Sequence, residues 1–261
     1  METAIEVRNL TTHYGDREIL KNISFTIPRG KTTVILGGSG CGKSTLLKHL
    51  IGLLKPTRGN ILINDNDITT MNEEEMNNVR QKMGVLFQGA ALLNSMTILD
   101  NVALPVREHT KLEDSTIRIM GRMKLDLVGL SGFEGFYPSQ LSGGMKKRAG
   151  LARAMALDPE LLFFDEPSAG LDPVTAAGLD ELILKLRKVF RMTIIVVTHE
   201  LPSVFMIADY VIMLDVGEVI FAGPLEELKT SENPRIRMFL ERKPEKETYS
   251  PEDYLRTIIG D

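Results

Sequence analysis

At 261 residues, 43% of them hydrophobic and 25% charged, the chain has enough apolar material for one large α/β domain and too much for wholesale disorder. A formal net charge of −4 argues against a nucleic-acid partner held by phosphate neutralisation, and the single cysteine, Cys41, excludes an internal disulfide framework or a cysteine-built metal cage and fits a reducing compartment. The first ten residues show no apolar run behind a basic start, and no apolar stretch reaches the length of a bilayer span, so any service to a membrane is expected from its aqueous side.

Ile5 to Ile27 alternates and is rich in β-branched residues around a Tyr14-Gly15-Asp16 turn, which predicts a hairpin-like strand pair. Thr32–Leu36 reads as a short buried strand, followed by glycines and a helix with Leu46, Leu47, Leu50 and Leu54 on one face. Ile61–Ile63 suggests another strand before the Asn64–Asp67 turn. Between Gln88 and about Leu157 strand signals vanish, and Ile98–Val106, Ser115–Val128 and Gly144–Leu157 are expected as helices of an insertion at about 89–157. Strand signals return at Leu161–Phe164, Thr193–Val197, Val211–Leu214 and Val219–Ala222, with a helix carrying Leu179, Leu182, Ile183, Leu186 and Val189 between the first two. Strands alternating with helices predict an α/β fold with a mostly parallel, helix-covered sheet. We expect one domain over 1–230, then a tail over 231–261 made of a small helix with an Ile236, Phe239, Leu240 stripe and a loosely ordered end.

The chemistry concentrates after the first buried strand. Gly37, Gly38, Ser39, Gly40, Cys41, Gly42, Lys43 and Ser44, followed by Thr45, fit the P-loop pattern between a strand and a helix. Glycines let backbone amides wrap phosphates, and the following helix turns its positive end to the same anion. Lys43 places a charge on the β/γ-phosphates of a nucleoside triphosphate, and the Ser44 hydroxyl can ligate Mg2+. Cys41 is expected to be a small packing side chain rather than a reactive thiol, since nothing sets a base beside it.

Leu141-Ser142-Gly143-Gly144-Met145 is similar to the signature sequence of ABC ATPases, and it opens a helix carrying Lys146, Lys147, Arg148 and Arg153. A serine and two glycines at a helix start make a second anion-binding device, although a serine there is also an ordinary cap. Leu161-Leu162-Phe163-Phe164-Asp165-Glu166 resembles the Walker B strand, with Asp165 placed to hold Mg2+ and Glu166 to act as general base toward water. The chain is thus identified as resembling the ABC transporter ATP-binding subunits over about residues 5–240, which implies a P-loop core with an antiparallel β subdomain and an inserted helical subdomain.

That resemblance implies further roles. Tyr14 would stack on adenine, Gln88 would sense magnesium and water, Ser168-Ala169-Gly170-Leu171-Asp172 would cross to a partner subunit, and His199 would contact the γ-phosphate. His13, His49 and His109 match no motif and are expected to be structural. Met145 departs from the glutamine usual at the end of the signature, while Ser142 and Gly144 are intact. In the family, two subunits face head to tail, so the P-loop of one and Ser142-Gly144 of the other would close on one ATP.

The stretches Phe87–Leu92, Asp100–Thr110, Leu141–Arg148 and Asn233–Leu240 resemble the ATPases of Mla (Mce-type) phospholipid transporters. This implies an integral permease with accessory subunits as partners, a peripheral place on the cytoplasmic face of the inner membrane, and a part in outer-membrane lipid asymmetry. Two rival readings are a polar-substrate importer ATPase, for example for amino acids, and a soluble ABC ATPase acting on DNA or ribosomes. The second would call for a coiled-coil insertion, tandem ATPase halves or a basic face, and the sequence carries none.

Overall fold

The computed structural model describes residues 2–243. Every residue of β3 (Thr32–Gly37) and β8 (Thr193–Thr198) is buried, as are the four apolar residues of β7 (Leu161–Asp165). Such continuous apolar and β-branched runs are what a sheet covered on both faces requires. These strands lie at the middle of a six-stranded sheet in the order β10-β9-β3-β8-β7-β6, with β6 at Met83–Leu86, β9 at Tyr210–Asp215 and β10 at Glu218–Pro224. All neighbouring pairs are parallel except β9 with β10.

Register decides where the chemistry can sit. Leu36 pairs with Thr198, Asp165 with Val197, and Leu86 with Phe164. The segments leaving β3, β8, β7 and β6 therefore emerge side by side at one carboxyl edge, where open α/β sheets bind ligands.

A second, antiparallel sheet has the order β2-β1-β4-β5, from β1 (Thr3–Tyr14), β2 (Arg17–Pro28), β4 (Arg58–Ile63) and β5 (Asn66–Asp67). Tyr14 pairs with Arg17 across the hairpin turn, as the sequence predicts. One apolar cluster joins the sheets through helix α1 (Lys43–Leu50), with Ile5, Leu10 and Leu20 from one side, Leu46 and Leu50 from α1, and Ile35, Phe163 and Ile195 from the other. Helix α2 (Glu73–Arg80) then precedes β6.

The insertion contains α3 (Ile98–His109), α4 (Asp114–Leu127), a short 3-10 turn at Pro138–Gln140, and α5 (Gly143–Ala154). It buries Ile98, Val102, Leu125, Val128 and Leu151, with a separate small cluster of Ala103, Val106, Ile117 and Ala156. α3 contains Pro105, as expected, and runs about a turn beyond Val106 to His109; Ile98, Leu99, Val102, Ala103 and Val106 are all buried on one side. Burying that stripe offsets the roughly 3 kcal/mol that an internal proline costs. α5 ends at Ala154 rather than Leu157, and α4 ends at Leu127. Helices α6 (Pro173–Phe190), α7 (Leu201–Ile207) and α8 (Leu225–Lys229) complete the order.

Two units are distinguished, the first ending at Lys229 and the second beginning at Thr230. In the second, α9 (Pro234–Leu240) starts at Asn233, whose side chain accepts the Arg235 amide, with Pro234 in the first turn. The expectation of a loosely ordered end falls on residues outside those described. Among the described residues no helix is long and apolar enough to cross a membrane.

Candidate nucleotide site

The loop leaving β3 has a shape that only glycine permits at two points. A Cβ on Gly37 would stand 2.3 Å from the Leu214 carbonyl oxygen and 2.6 Å from Cys41 Sγ. Gly42 has φ +107, and a Cβ there would lie 2.7 Å from Leu20 Cδ2. The loop is thus pressed onto β9 and onto the hairpin strand β2, while Gly38, Ser39 and Gly40 form an exposed rim. Lys43, 8% exposed, donates from Nζ to the carbonyls of Gly37 at 2.9 Å and Gly38 at 2.8 Å. Its ammonium is held at the centre of the loop, where a phosphate would meet it. Ser44 is exposed and Thr45 half-buried at the start of α1. Cys41 is buried and its thiol is pushed up by burial, against the pull of Lys43, so it packs the underside of the loop. Tyr14 sits exposed at the tip of the hairpin whose second strand touches the loop.

β7 delivers Asp165 and Glu166 beside this loop. Asp165 is half-buried, and burial and the neighbouring Glu166 raise its carboxyl above the usual range, against Lys147, Lys48 and Lys43. With the exposed Ser44 hydroxyl and Gln88 carboxamide it offers the hard oxygen donors that Mg2+ takes.

Glu166 has φ +47, a left-handed conformation that costs about 1–3 kcal/mol outside glycine. Its amide donates to Val197 O at 2.9 Å, which fixes the turn. The carboxylate is then clasped on both oxygens. Thr198 Oγ1 donates to Oε2 at 3.1 Å, and His199 Nδ1 lies 2.9 Å from Oε1. His199 also approaches Glu200, Nε2 to Oε1 at 3.3 Å. Gln88 is exposed just past β6.

The sequence-predicted residues therefore gather into two sets. Lys43, Ser44, Asp165, Glu166, Gln88 and His199 share the carboxyl edge of four adjacent strands. Ser142, Gly143 and Gly144 begin α5 in the insertion, where Ser142 Oγ accepts the Met145 amide at 3.3 Å. In the Ser168–Asp172 loop, Asp172 caps α6 by accepting the Val174 and Thr175 amides. His49 is buried, with ring nitrogens on Thr12 and Leu54, a structural role as expected.

Three further residues enter the site only through tertiary structure: Thr198 at the end of β8, and Lys147 and Arg153, which the sequence shows only as basic residues on a helix. Lys147 Nζ donates to Gln88 O at 2.6 Å and to Glu166 O at 3.2 Å, and Arg153 donates to the carbonyls of Ala90 and Ala91. Their spacing with Gly150 puts all three on one helix face, which was the available signal.

A phosphate-wrapping loop, a carboxylate pair ending a buried strand, and a histidine on the adjacent strand define a P-loop ATPase. The chain belongs to the ABC transporter family, whose profile matches residues 20–169. It binds ATP and hydrolyses it. It is 43% identical to the Haemophilus influenzae "Intermembrane phospholipid transport system ATP-binding protein MlaF" over 99% of each chain. It is 47% identical to the Mycobacterium leprae "Probable ribonucleotide transport ATP-binding protein mkl" over 92% of this chain and 69% of that one. A solved dimeric ATP-binding cassette in a post-hydrolysis state with ADP and Pi superposes with a TM-score of 0.78 at 31% identity, over 85% of this chain and 98% of that chain.

Proposed function

We propose that the chain powers a phospholipid transporter of the Mla type, as a head-to-tail homodimer on the cytoplasmic face of the inner membrane beneath an integral permease with accessory subunits. The observation that carries this reading is the end-to-end likeness to the phospholipid-system relative, 43% over 99% of both chains. Residues 1–230 would form the ATP-binding domain, with the helical subdomain at about 89–157.

In each site Tyr14 stacks on adenine, and Gly37–Thr45 with Lys43 bind the phosphates. Ser44, Gln88 and Asp165 would hold Mg2+, which when bound neutralises charge on the β- and γ-oxygens. Glu166, fixed by Thr198 and His199, takes a proton from the attacking water. His199 faces the γ-phosphate, and Ser142, Gly143 and Gly144 of the opposing subunit close the site.

The test is to purify the membrane complex through this subunit. Co-purified phospholipid, with ATPase activity that moves lipid between vesicles, is expected. ATPase stimulated by ribonucleotide or amino acid, without bound phospholipid, would replace the lipid reading by the polar-substrate one.

A further inference from the structure

α5 has different neighbours along its length. At its start Ser142 and Gly143 are exposed. Five residues past Ser142, the side chain of Lys147 turns back into the chain's own site. It is 6% exposed, and its Nζ donates to Gln88 O at 2.6 Å and to Glu166 O at 3.2 Å. On the same face, a Cβ on Gly150 would lie 2.8 Å from Leu86 Cδ1 and 3.1 Å from Ala90 O, so the helix rides directly on the backbone there. A turn later Arg153 donates to Ala90 O at 3.0 Å and to Ala91 O at 2.8 Å. Ala90 and Ala91 both adopt positive φ, a conformation that alanine leaves unless it is held.

The helix and the segment after Gln88 are therefore one mechanical piece, and among these contacts only Lys147 also grips the turn that carries Glu166. Burial disfavours the ammonium, while Asp165 and Glu166 draw it back toward its charged form.

We propose that Lys147 is a positioning residue that couples the two nucleotide sites of the dimer: when Ser142 and Gly144 engage the partner's nucleotide, α5 sets Gln88 and Glu166 in the chain's own site through the Lys147 ammonium. This rests on the head-to-tail dimer proposed above. The hydrogen bonds that reach Gln88 and Glu166 come from the ammonium, so the stem alone cannot make them.

The experiment uses the purified transporter complex carrying Lys147→Met, which keeps the stem, and Lys147→Arg, which keeps the charge and donors. ATPase rate is followed against ATP concentration, beside ATP affinity and Tm of the isolated chain. The Met variant is expected to lose about tenfold in kcat and to drop from a Hill coefficient above 1 to about 1, a coupling of ordinary allosteric size, with ATP affinity and Tm held. Lys147→Arg restores both. A non-cooperative wild type, a Met variant that stays cooperative, or a loss that tracks a fallen Tm and is not rescued by Arg overturns the proposal. Light scattering of Glu166→Gln with ATP separates this from failure of the dimer itself. No dimer there sinks the head-to-tail reading, whereas a dimer with unaltered Met-variant cooperativity sinks Lys147 alone.

Discussion

The strand-edge half of the site and the helix-borne half are built on opposite terms. At the strand edge the functional groups already hold one another: Lys43 on the carbonyls of Gly37 and Gly38, and Glu166 between Thr198 and His199. Fully buried strands fix them. At the start of α5, Ser142 is exposed and its hydroxyl caps its own helix, whose later residues Ala149, Leu151 and Ala152 are buried. One half is preorganised by buried strands and by hydrogen bonds among its own functional groups, and the other is an exposed helix start positioned by the packing of the helix behind it.

The comparison can be broken hardest at Glu166. Glu166→Gln keeps the size and a hydrogen-bonding end but removes the base, so turnover by the complex should fall about 10²- to 10⁴-fold with ATP affinity retained. Turnover within threefold of wild type would move the base elsewhere. A smaller effect, of different kind, is expected at Ser142. Ser142→Arg should lower turnover of the complex about 10²-fold, while ATP affinity of the isolated chain stays unchanged, because that affinity belongs to the strand edge alone. If the isolated chain also loses affinity, the two halves are not separable.

The strand-edge half was legible in the sequence because its signals are local. Thr32–Leu36 and Leu161–Phe164 are apolar runs, and Gly37–Ser44 carries its phosphate chemistry in its spacing. The family and the α/β fold followed from those runs together with Leu141–Met145. What the sequence hid is tertiary. α2 was missed because only Met76 of its eight residues is buried, although Asn72 and Glu75 form a capping box that would have announced it. Lys147 gave no local sign of its role, because the carbonyls it meets belong to Gln88 and Glu166, 59 and 19 residues away. Thr198 was hidden in the same way: its hydroxyl counts only once β7 sets Glu166 beside β8.

The smallest effect probes the rigid half itself. His49 is 1% exposed at the end of α1. A carbonyl can only accept, so Nδ1 donates to Leu54 O at 2.8 Å, and in the neutral ring Nε2 accepts from Thr12 Oγ1 at 2.7 Å. Burial lowers the folded-state pKa below the ordinary 6.5, which the hydrogen bond to Leu54 opposes only in part. The unfolded chain therefore binds this proton first as pH falls. Stability is full above about pH 6.5 and declines as pH drops from there through the lower folded value, by at most about 1.4 kcal/mol per pH unit for one proton. Replacing His49 with Gln should flatten that decline by up to one proton's worth, read from urea midpoints between about pH 7 and 5. Because Thr12 lies on β1 and His49 on α1, wild-type amide protection at low pH should fall in those elements more than in α3 and α4. An equal slope in both proteins would place the titrating group elsewhere, and protection lost evenly would mean that the strand edge and the insertion unfold as one.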